Sequence, residues 1–286
     1  MLRSYLFIPG DSERKMARST EFGADALILD LEDSVAGERK PIARDMTRAY
    51  IAAAKADGPK LVVRCNSLGT GMVPHDLAAI VDVRPYAILL PKASGQADID
   101  ALGNMLSALE ARAGLELGGI GIIGLVTETA NALLNMTTER VHHPRLLGLT
   151  WGAEDLGSDI GAFANRTEDG QFEETFRFAR SVCLLSAAAC GLPAIDTVFV
   201  DTRDTKGLEA ECRSARRAGF IGKFAIHPGQ VEPINRLFSP SPEELDWANK
   251  VVDAFAKSAG TGVTTLDGKM LDVPHLRLAK RLLGTT

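Results

Sequence analysis

The strongest indication of the fold comes from one segment, Leu146-Leu-Gly-Leu-Thr-Trp-Gly-Ala-Glu-Asp-Leu156. Its apolar part is too short for a globular helix and is followed at once by Glu154 and Asp155, a pattern typical of a buried strand with acidic residues at its end. An earlier segment, Gly119-Ile-Gly-Ile-Ile-Gly-Leu-Val-Thr-Glu128, closes in the same way on one carboxylate. Adjacent parallel strands would bring Glu128 and Asp155 to one edge of the sheet, where two carboxylates suit Mg²⁺.

Short apolar runs alternate with amphipathic stretches along the chain, eight of each. The predicted strands are 5–9, 26–31, 60–66, 87–92, 120–128, 146–152, 194–201 and 223–228. The predicted helices span about 12–22, 40–56, 74–82, 97–113, 129–135, 172–190, 205–218 and 230–237. Eight such units without a low-complexity linker predict an α/β fold, a single (β/α)8 TIM barrel. The alternative, a doubly wound open sheet, lacks the Gly-x-Gly-x-x-Gly segment that often follows its first strand.

A C-terminal extension follows the predicted barrel. The barrel is assigned to residues 1–238, and residues 239–286 form a helical lid or arm that a barrel does not need for closure. Ser241 is predicted to cap the first helix of this extension. A mobile or hairpin-like connection is expected over 258–269, and a last amphipathic helix over about 274–283. We expect this extension to cover the site or to reach a neighbouring subunit.

The composition is that of an ordinary globular protein, with 45% hydrophobic and 24% charged residues. A net charge of −5 without clustered Lys and Arg argues against a nucleic-acid surface. No run of ~18 uncharged apolar residues and no signal peptide are evident, so we expect a cytoplasmic protein with no membrane partner. The four cysteines show no Cys-x-x-Cys spacing, which indicates buried thiols.

Polar residues close almost every predicted strand, whereas the opposite strand ends carry no such set. They are Asp11 to Arg14, Asp30 to Asp33, Arg64 to Asn66, Lys92, Glu128, Gly152 to Asp155, Asp201 and His227. In a barrel, the carboxyl ends of the strands carry the active site. The asymmetry therefore predicts an enzyme.

Each candidate has a structural alternative. Glu128 and Asp155 can each cap the helix that follows, but their occurrence at adjacent strand ends favours a metal site. Arg64 either pairs internally with Glu32 or Asp33, or faces substrate, where its planar guanidinium matches a carboxylate or an enolate oxygen.

The other charged residues near the strand ends are predicted to have supporting roles. Glu32 and Asp33 are expected to orient metal-bound water rather than to ligate the metal. Lys92 is expected to line the barrel mouth with its aliphatic stem. Arg14 and Arg18 either form a solvated face or hold a phosphorylated cofactor tail, and the spacing leaves both open.

Seven segments in chain order resemble the citrate lyase β-subunit-like family, which includes malyl-CoA and citramalyl-CoA lyases within the HpcH/HpaI aldolase superfamily. They are Phe7-Ile-Pro-Gly10 with Ser12-Glu-Arg14, Asp30-Leu-Glu-Asp33, Arg64-Cys-Asn66, Leu90-Pro-Lys92, Glu128-Thr129, Gly152-Ala-Glu-Asp-Leu156 and Ala225-Ile-His-Pro228. The resemblance implies a Mg²⁺-dependent barrel, with Mn²⁺ as an alternative ion, that forms a homotrimer or hexamer. It also implies a lyase that cleaves a 3-hydroxyacyl-CoA, such as malyl-CoA or citramalyl-CoA, to an acyl-CoA and a 2-oxo acid.

The same resemblance implies a role for each matching residue. Glu128 and Asp155 would be the metal ligands, and Arg64 would hold substrate and stabilise the enolate. The segment Gly152, Ala153 and Glu154 would bind the 2-oxo-acid carboxylate through N–H groups. The residues that would contact coenzyme A are Phe7, Arg14, Arg18, Ile226 and His227.

The C-terminal segment around Asp272 resembles the lid of the coenzyme A lyases. The resemblance implies that Asp272 acts as acid/base in a neighbouring subunit's site, while the alternative is a helix N-cap before Pro274. The segment 69–74 departs from the family pattern, because it lacks the expected aromatic and acidic residues. Three other functions stay open: thioester hydrolysis, a coenzyme A-independent 2-oxo-acid aldolase, and a non-catalytic or acyl-carrier-dependent subunit. The Asp272 segment argues against the last.

Overall fold

Eight parallel strands close into a barrel in chain order, with β1 also paired to β8. The computed structural model describes residues 2–258 and 262–285. The strands are β1 Ser4–Pro9, β2 Ala26–Asp30, β3 Lys60–Arg64, β4 Ala87–Leu90, β5 Gly121–Leu125, β6 Leu146–Thr150, β7 Ala194–Asp196 and β8 Gly222–Ala225. The predicted TIM barrel is confirmed, and the open sheet is excluded.

Helices follow the strands around the barrel. They are α1 Glu13–Arg18, α2 Lys40–Ala52, α3 Val73–Ile80, α4 Gln96–Arg112, α5 Ala130–Thr138, α6 Ala153–Ile160, α7 Glu174–Ala189, α8 Thr205–Ala218 and α9 Val231–Phe238. The sequence prediction did not include α6. Its first residues, Ala153 to Asp155, were assigned instead to the end of the preceding strand.

Side chains alternate along each strand between the barrel interior and the surrounding helices. In β2, Ala26 and Ile28 belong to the interior cluster, whereas Leu27 and Leu29 belong to the core between strands and helices. The same alternation continues to Asp30 at the end of β2. Side chains in register with the interior row therefore reach the carboxyl end of the barrel, and this alternation decides which of them enter the site.

The seventh strand is shorter than predicted. It ends at Asp196, five residues before Asp201, which we had placed at the strand end. Asp196 is fully buried and accepts hydrogen bonds from Trp151 and Lys223, so a carboxylate that looks like a strand terminator is part of the core. Asp201 is an exposed loop residue whose carboxylate accepts the N–H of Arg203.

Residues 239–286 make a second compact unit. Its first helix, α10 Pro242–Lys257, begins with a capping box in which Ser241 Oγ accepts the Glu244 N–H and Glu244 accepts the Ser241 N–H. The strands β9 Val263–Leu266 and β10 Lys269–Asp272 pair antiparallel. Residues 259–261 of the predicted connection lie outside the described residues.

The turn between β9 and β10 has the chemistry that a tight hairpin requires. Asp267 and Gly268 have φ values of 48° and 75°, the left-handed conformation that an Asp-Gly pair adopts readily. The last helix, α11 Val273–Leu283, packs on α10 through a small apolar cluster. That cluster contains Ala248, Val251, Leu271 and Ala279.

Candidate active site

A cavity of about 260 Å³ lies at the carboxyl ends of the barrel strands. It is lined by Phe7, Pro9, Asp30, Asp33, Ser34, Arg64, Leu125, Glu128, Trp151, Gly152, Ala153, Glu154, Asp155, Thr197, Val198, Phe224 and Ile226. Nine of the thirteen site residues that the sequence predicts in the barrel are therefore brought together. Among the predicted site residues of the barrel, Arg14, Arg18, Glu32 and His227 do not line this cavity.

Arg64 is held by an internal partner and still borders the cavity. Its Nε and Nη2 donate to the two carboxylate oxygens of Asp30, each at 2.7 Å, and its guanidinium lies 4.9 Å from the Phe7 ring centroid. Burial alone would raise the pKa of Asp30, but the hydrogen bonds and charge of Arg64 outweigh it and lower that pKa. The main internal partner is thus Asp30. Glu32 lies 3.1 Å and Asp33 3.9 Å from Arg64 Nη1.

Lys92 links the acidic residues of three strand ends. Its Nζ lies 2.8 Å from Glu32 Oε1 and 3.1 Å from Asp155 Oδ1, and its backbone N–H donates to Glu128 Oε2 at 2.7 Å. The backbone of Lys92 is left-handed, with φ of 52°, which a non-glycine residue adopts at a cost of about 1–3 kcal/mol. Lys92 is therefore a central cation of the site. The prediction that its aliphatic stem lines the barrel mouth did not include these contacts of its ammonium group and backbone.

Glu128 is almost completely buried, with 2% of its surface exposed. Burial, followed by the negative charge of Asp155, raises the pKa of the Glu128 carboxyl well above its usual value. The carboxylate fits only because residue 152 is glycine: a Cβ there would lie 2.8 Å from Glu128 Cγ and 2.9 Å from Oε1. The chain thus keeps an acidic group where its charge is unfavourable without a cation.

Neither proposed metal ligand caps a helix. Thr129 is the N-cap of α5 and accepts the Ala132 N–H, while Gly152 occupies the N-cap position of α6. Asp155 lies in the first turn of α6, where the helix dipole favours a negative charge. The capping alternative for Glu128 and Asp155 is wrong, and the contacts that their carboxylates make are with Lys92.

The residues present fit a hard divalent cation. Glu128 and Asp155 line one cavity and are close enough for Asp155 to raise the Glu128 pKa. Within residues 2–258 and 262–285, no group of three or more His, Cys, Asp and Glu side chains has the arrangement of a metal site. Two carboxylates completed by water and substrate oxygens match Mg²⁺ rather than a metal held entirely by protein.

The supporting acids differ in exposure. The Glu32 carboxylate is buried and contacts Lys92 and Arg64, and burial raises its pKa although both cations oppose that shift. The Asp33 side chain is 58% exposed. Glu32 therefore holds the two cations in place, while Asp33 faces the open side of the cavity.

Only two of the five residues assigned to coenzyme A line the cavity. Phe7 and Ile226 line the cavity, whereas Arg14 and Arg18 are exposed on α1 and Arg18 pairs with Glu21 at 3.1 Å. His227 is exposed, and its Nδ1 accepts the Gly229 N–H. Contact of these residues with coenzyme A stays a prediction.

The segment assigned to the 2-oxo-acid carboxylate forms the start of α6. Gly152 and Ala153 line the cavity, and Glu154 accepts a hydrogen bond from Asn165 at 2.7 Å. In the C-terminal unit, Asp272 is the N-cap residue of α11, and its Oδ1 lies 2.5 Å from His275 Nδ1. The alternative position that we gave for Asp272 is thus observed, and its acid/base role stays a prediction.

Two important residues were missed or underrated. Asp30 was grouped with the acids of its strand end but was not named as the partner of Arg64. The period-2 alternation of β2 and β3 would have identified it, since Asp30 and Arg64 are also register partners. Lys92 was identified at the end of its strand, but no sequence pattern indicates its contacts with Glu32, Asp155 and Glu128, which follow from a left-handed turn after β4.

A closed (β/α)8 barrel with buried carboxylates, an arginine and a lysine at the carboxyl ends of its strands defines a barrel enzyme. The family described as HpcH/HpaI aldolase/citrate lyase matches residues 3–228, and one described as C–C bond lyase of the TIM-barrel fold matches residues 171–286. The chain belongs to the HpcH/HpaI aldolase/citrate lyase family. It is an enzyme of the carbon–carbon lyase class.

Individual relatives cover nearly the whole chain. A (3S)-malyl-CoA thioesterase of Cereibacter sphaeroides is 36% identical over 99% of this chain and 93% of its own length. The mitochondrial citramalyl-CoA lyase of Rattus norvegicus is 32% identical over 98% of this chain and 85% of its own. The structure of CitE from Mycobacterium tuberculosis with magnesium, acetoacetate and coenzyme A is 31% identical, with a TM-score of 0.80, and covers 99% of this chain and 97% of that one.

None of the described helices combines the length and hydropathy that crossing a bilayer requires.

Proposed function

We propose that the protein is a Mg²⁺-dependent lyase that reversibly cleaves a 3-hydroxyacyl-CoA, such as malyl-CoA or citramalyl-CoA, to an acyl-CoA and a 2-oxo acid. The observation that carries this proposal is the buried Glu128 beside Asp155, in the same cavity as Arg64. The relatives named for malyl-CoA and citramalyl-CoA support the substrate class, and the CitE complex supports magnesium and coenzyme A.

The proposed chemistry divides among two metal ligands, an arginine, the start of α6 and a base. Glu128 and Asp155 would hold Mg²⁺, which when bound polarises and orients the hydroxyl and carboxylate oxygens of the acyl group. A base removes the hydroxyl proton, and the bond between the carbinol carbon and the thioester α-carbon breaks, with its electron pair forming the thioester enolate. Return of the proton to the α-carbon then gives the acyl-CoA. Arg64, already oriented by Asp30, would offset the enolate charge. The N–H groups of Gly152 to Asp155 would bind the carboxylate of the 2-oxo acid.

The base in this proposal is Asp272 of a neighbouring subunit, as the family resemblance implies. A homotrimer or hexamer would supply it, with Arg14, Arg18, Phe7, Ile226 and the His227 backbone binding coenzyme A. Mn²⁺ would substitute for Mg²⁺. A cytoplasmic location stays a prediction.

The condensing direction tests this function and selects the substrate. Purified protein with Mg²⁺ is incubated with each pair of glyoxylate or pyruvate and acetyl-CoA or propionyl-CoA, and the acyl-CoA products are identified by mass. We expect a 3-hydroxyacyl-CoA from at least one pair, and its loss when EDTA replaces Mg²⁺. One methyl group changes specificity by only ~10–200-fold, so a preference among pairs rather than a single active pair is expected. No condensation with any pair would overturn the proposal.

Thioester hydrolysis is the second candidate, favoured by the relative named (3S)-malyl-CoA thioesterase. The same cation site would polarise the thioester carbonyl for attack by water. Hydrolysis releases free coenzyme A, so thiol release from malyl-CoA separates the two activities. Two further measurements test the remaining alternatives. Calorimetric binding of coenzyme A alone would exclude a coenzyme A-independent aldolase. Turnover of a free thioester would exclude a subunit that needs an acyl carrier.

A further inference from the structure

Trp151 belongs to a closed ring of side-chain contacts between the barrel strands and the surrounding helices. Trp151 Nε1 donates to Asp196 Oδ1 at 2.8 Å, and Asp196 Oδ2 lies 2.8 Å from Lys223 Nζ. Lys223 Nζ also lies 2.6 Å from Glu211 Oε1, and Glu211 Oε2 lies 2.7 Å from Arg166 Nη2. These contacts join β7, β8 and α8 to the loop between α6 and α7.

Aromatic packing closes this ring. The Arg166 guanidinium stacks 3.9 Å from the centroid of Phe172, and Phe172 packs edge-on against Trp151 with centroids 5.0 Å apart. Following the contacts from Trp151 through Asp196, Lys223, Glu211, Arg166 and Phe172 therefore returns to Trp151. We call these six residues the Trp151 ring.

Burial of the charged side chains in this ring destabilises the fold unless each charge has a partner. Lys223 and Asp196 are fully buried, and an unpaired charge at either position would destabilise the barrel severely. Arg180 adds a second cation 3.1 Å from Asp196 Oδ1. A buried ionic network is weak evidence for stability. This network connects the loop between α6 and α7 to the two strands behind Trp151.

What it holds is one wall of the active site. Trp151 lines the cavity and directly precedes Gly152 to Asp155. The loop that carries Arg166 also reaches this wall, because the adjacent Asn165 donates to Glu154 at 2.7 Å. The wall is thus fixed from two sides, by the hydrogen bond at the Trp151 indole and by the loop.

We propose that the Trp151 ring positions the segment from Trp151 to Asp155, and that Arg166, Glu211, Lys223 and Asp196 are positioning residues for the 2-oxo-acid end of the substrate. The inference rests on the proposed function for its ligand. The ring itself is independent of that function, since none of these four side chains lines the cavity. Loosening the ring should disturb binding of the 2-oxo acid and leave binding of the acyl-CoA almost unchanged.

The test breaks the ring at its outer link. Trp247→Phe leaves Trp151 as the single tryptophan of the two in the chain, so its emission reports on the ring. Arg166→Ala in this background removes both the Glu211 pair and the stacking on Phe172. Arg236→Ala is the matched control, because Arg236 pairs at 2.6 Å with Glu209 on the same helix as Glu211 but has no contact with the ring among the described contacts.

We expect Arg166→Ala to increase acrylamide quenching of Trp151. It should also weaken pyruvate binding in the presence of Mg²⁺ by at least about threefold, within the range for residues coupled in one network. The KM for acyl-CoA should stay level, a split that general destabilisation would not produce. Arg236→Ala should match the parent in all three measurements. If Arg166→Ala also matches the parent, or raises both KM values equally, the inference is wrong.

Two outcomes, an unfolded variant and a parent protein that binds no 2-oxo acid, require additional measurements. Should Arg166→Ala lack a cooperative thermal transition, Glu211→Gln, which keeps the size and removes the charge, decides by the same comparison. Should the parent bind neither pyruvate nor glyoxylate, the proposed function fails, and Trp151 quenching alone decides whether the ring holds its wall.

Discussion

At the scale of single residues, the site is a compact balance of charge. The side chains that interact with Arg64 and Lys92 include five carboxylates, Asp30, Glu32, Asp33, Glu128 and Asp155. This group of seven side chains has a formal charge of −3, and Glu154 at the cavity wall is not counted in it. A divalent ion would reduce the excess to −1. Glu128 is the carboxyl group whose ionisation this excess opposes most clearly, because burial and the charge of Asp155 raise its pKa well above the usual value.

Glu128→Gln tests the metal assignment. The substitution keeps the size of the side chain and its contact with the Lys92 N–H, but it removes a charged ligand. We expect Mn²⁺ affinity, read by electron paramagnetic resonance, to fall more than about 100-fold, beyond the ~10–100-fold typical of outer-shell partners. Lyase turnover should fall in parallel. The exposed Glu116→Gln is the control, and unchanged Mn²⁺ binding by Glu128→Gln would show that the ion lies elsewhere.

Lys92→Met tests whether this ammonium is the internal counter-ion of the site. Removal of its charge takes the formal site charge from −3 to −4, counted from the same ion pairs. We expect Mn²⁺ to bind more tightly and the pyruvate anion to bind more weakly, since the charge change acts on the two ligands with opposite sign. Calorimetry with each ligand measures both effects. Weakening of both to a similar degree would instead identify Lys92 as a purely structural support.

At the scale of elements, the C-terminal unit offers the sharpest test of assembly. If Asp272 serves a neighbouring subunit, Asp272→Asn and Glu128→Gln are inactive for different reasons and can complement each other. Random mixing of the two variants by co-expression should restore up to about one quarter of the sites, as expected for a closed symmetric oligomer in which each site uses two chains. Activity of the purified mixed assembly measures this. Each variant alone is the control. A mixture as inactive as its parts would place Asp272 in its own subunit's site, and full activity of Asp272→Asn alone would place Asp272 outside the reaction.

The sequence predicts the elements that follow a simple period. Each of the eight predicted strands overlaps an observed strand, because buried parallel strands are short apolar runs between polar turns. The positions of Glu128 and Asp155 shortly after β5 and β6 were predicted for the same reason, since a carboxylate after an apolar run is conspicuous.

Other features depend on packing that no local pattern records. The end of β7 was misplaced because Asp196 is a buried acid with a buried lysine partner, Lys223, which lies twenty-seven positions later in the chain. The position of Lys92 follows from a left-handed turn, and the cavity wall follows from a ring of six residues on five elements. Contacts of this kind arise only when the barrel closes.

At the scale of the whole barrel, buried carboxylates set its response to acid. Burial opposes ionisation of Asp30, Glu110 and Asp196, but their cationic partners outweigh it and lower all three pKa values. A folded pKa below the unfolded value stabilises the fold above the unfolded pKa, about 3.9–4.3, and this stabilisation is lost as pH falls through the folded value. We expect the free energy of unfolding in urea, followed by Trp151 emission in the Trp247→Phe protein, to fall steadily below about pH 4.

Glu110→Gln supplies the matched variant for this prediction. Glu110 pairs with the buried Arg145 at 2.5 Å, away from the strand ends that form the site. The variant should be less stable than the parent at pH 6, and the difference should shrink as pH falls through the folded pKa of Glu110. A free energy of unfolding that stays level between pH 5 and pH 3 would contradict the assignment of these three pairs.

The central claim is that a cation held by Glu128 and Asp155 serves to break a carbon–carbon bond. The most direct measurement incubates malyl-CoA with the protein and Mg²⁺ and quantifies all four products, glyoxylate with acetyl-CoA from cleavage and malate with free coenzyme A from hydrolysis. We predict glyoxylate and acetyl-CoA in equal amounts, absent with EDTA and absent with Glu128→Gln; citramalyl-CoA run in parallel should give pyruvate and acetyl-CoA. Malate and free coenzyme A as the only products, or cleavage that persists without a divalent ion, would contradict the account.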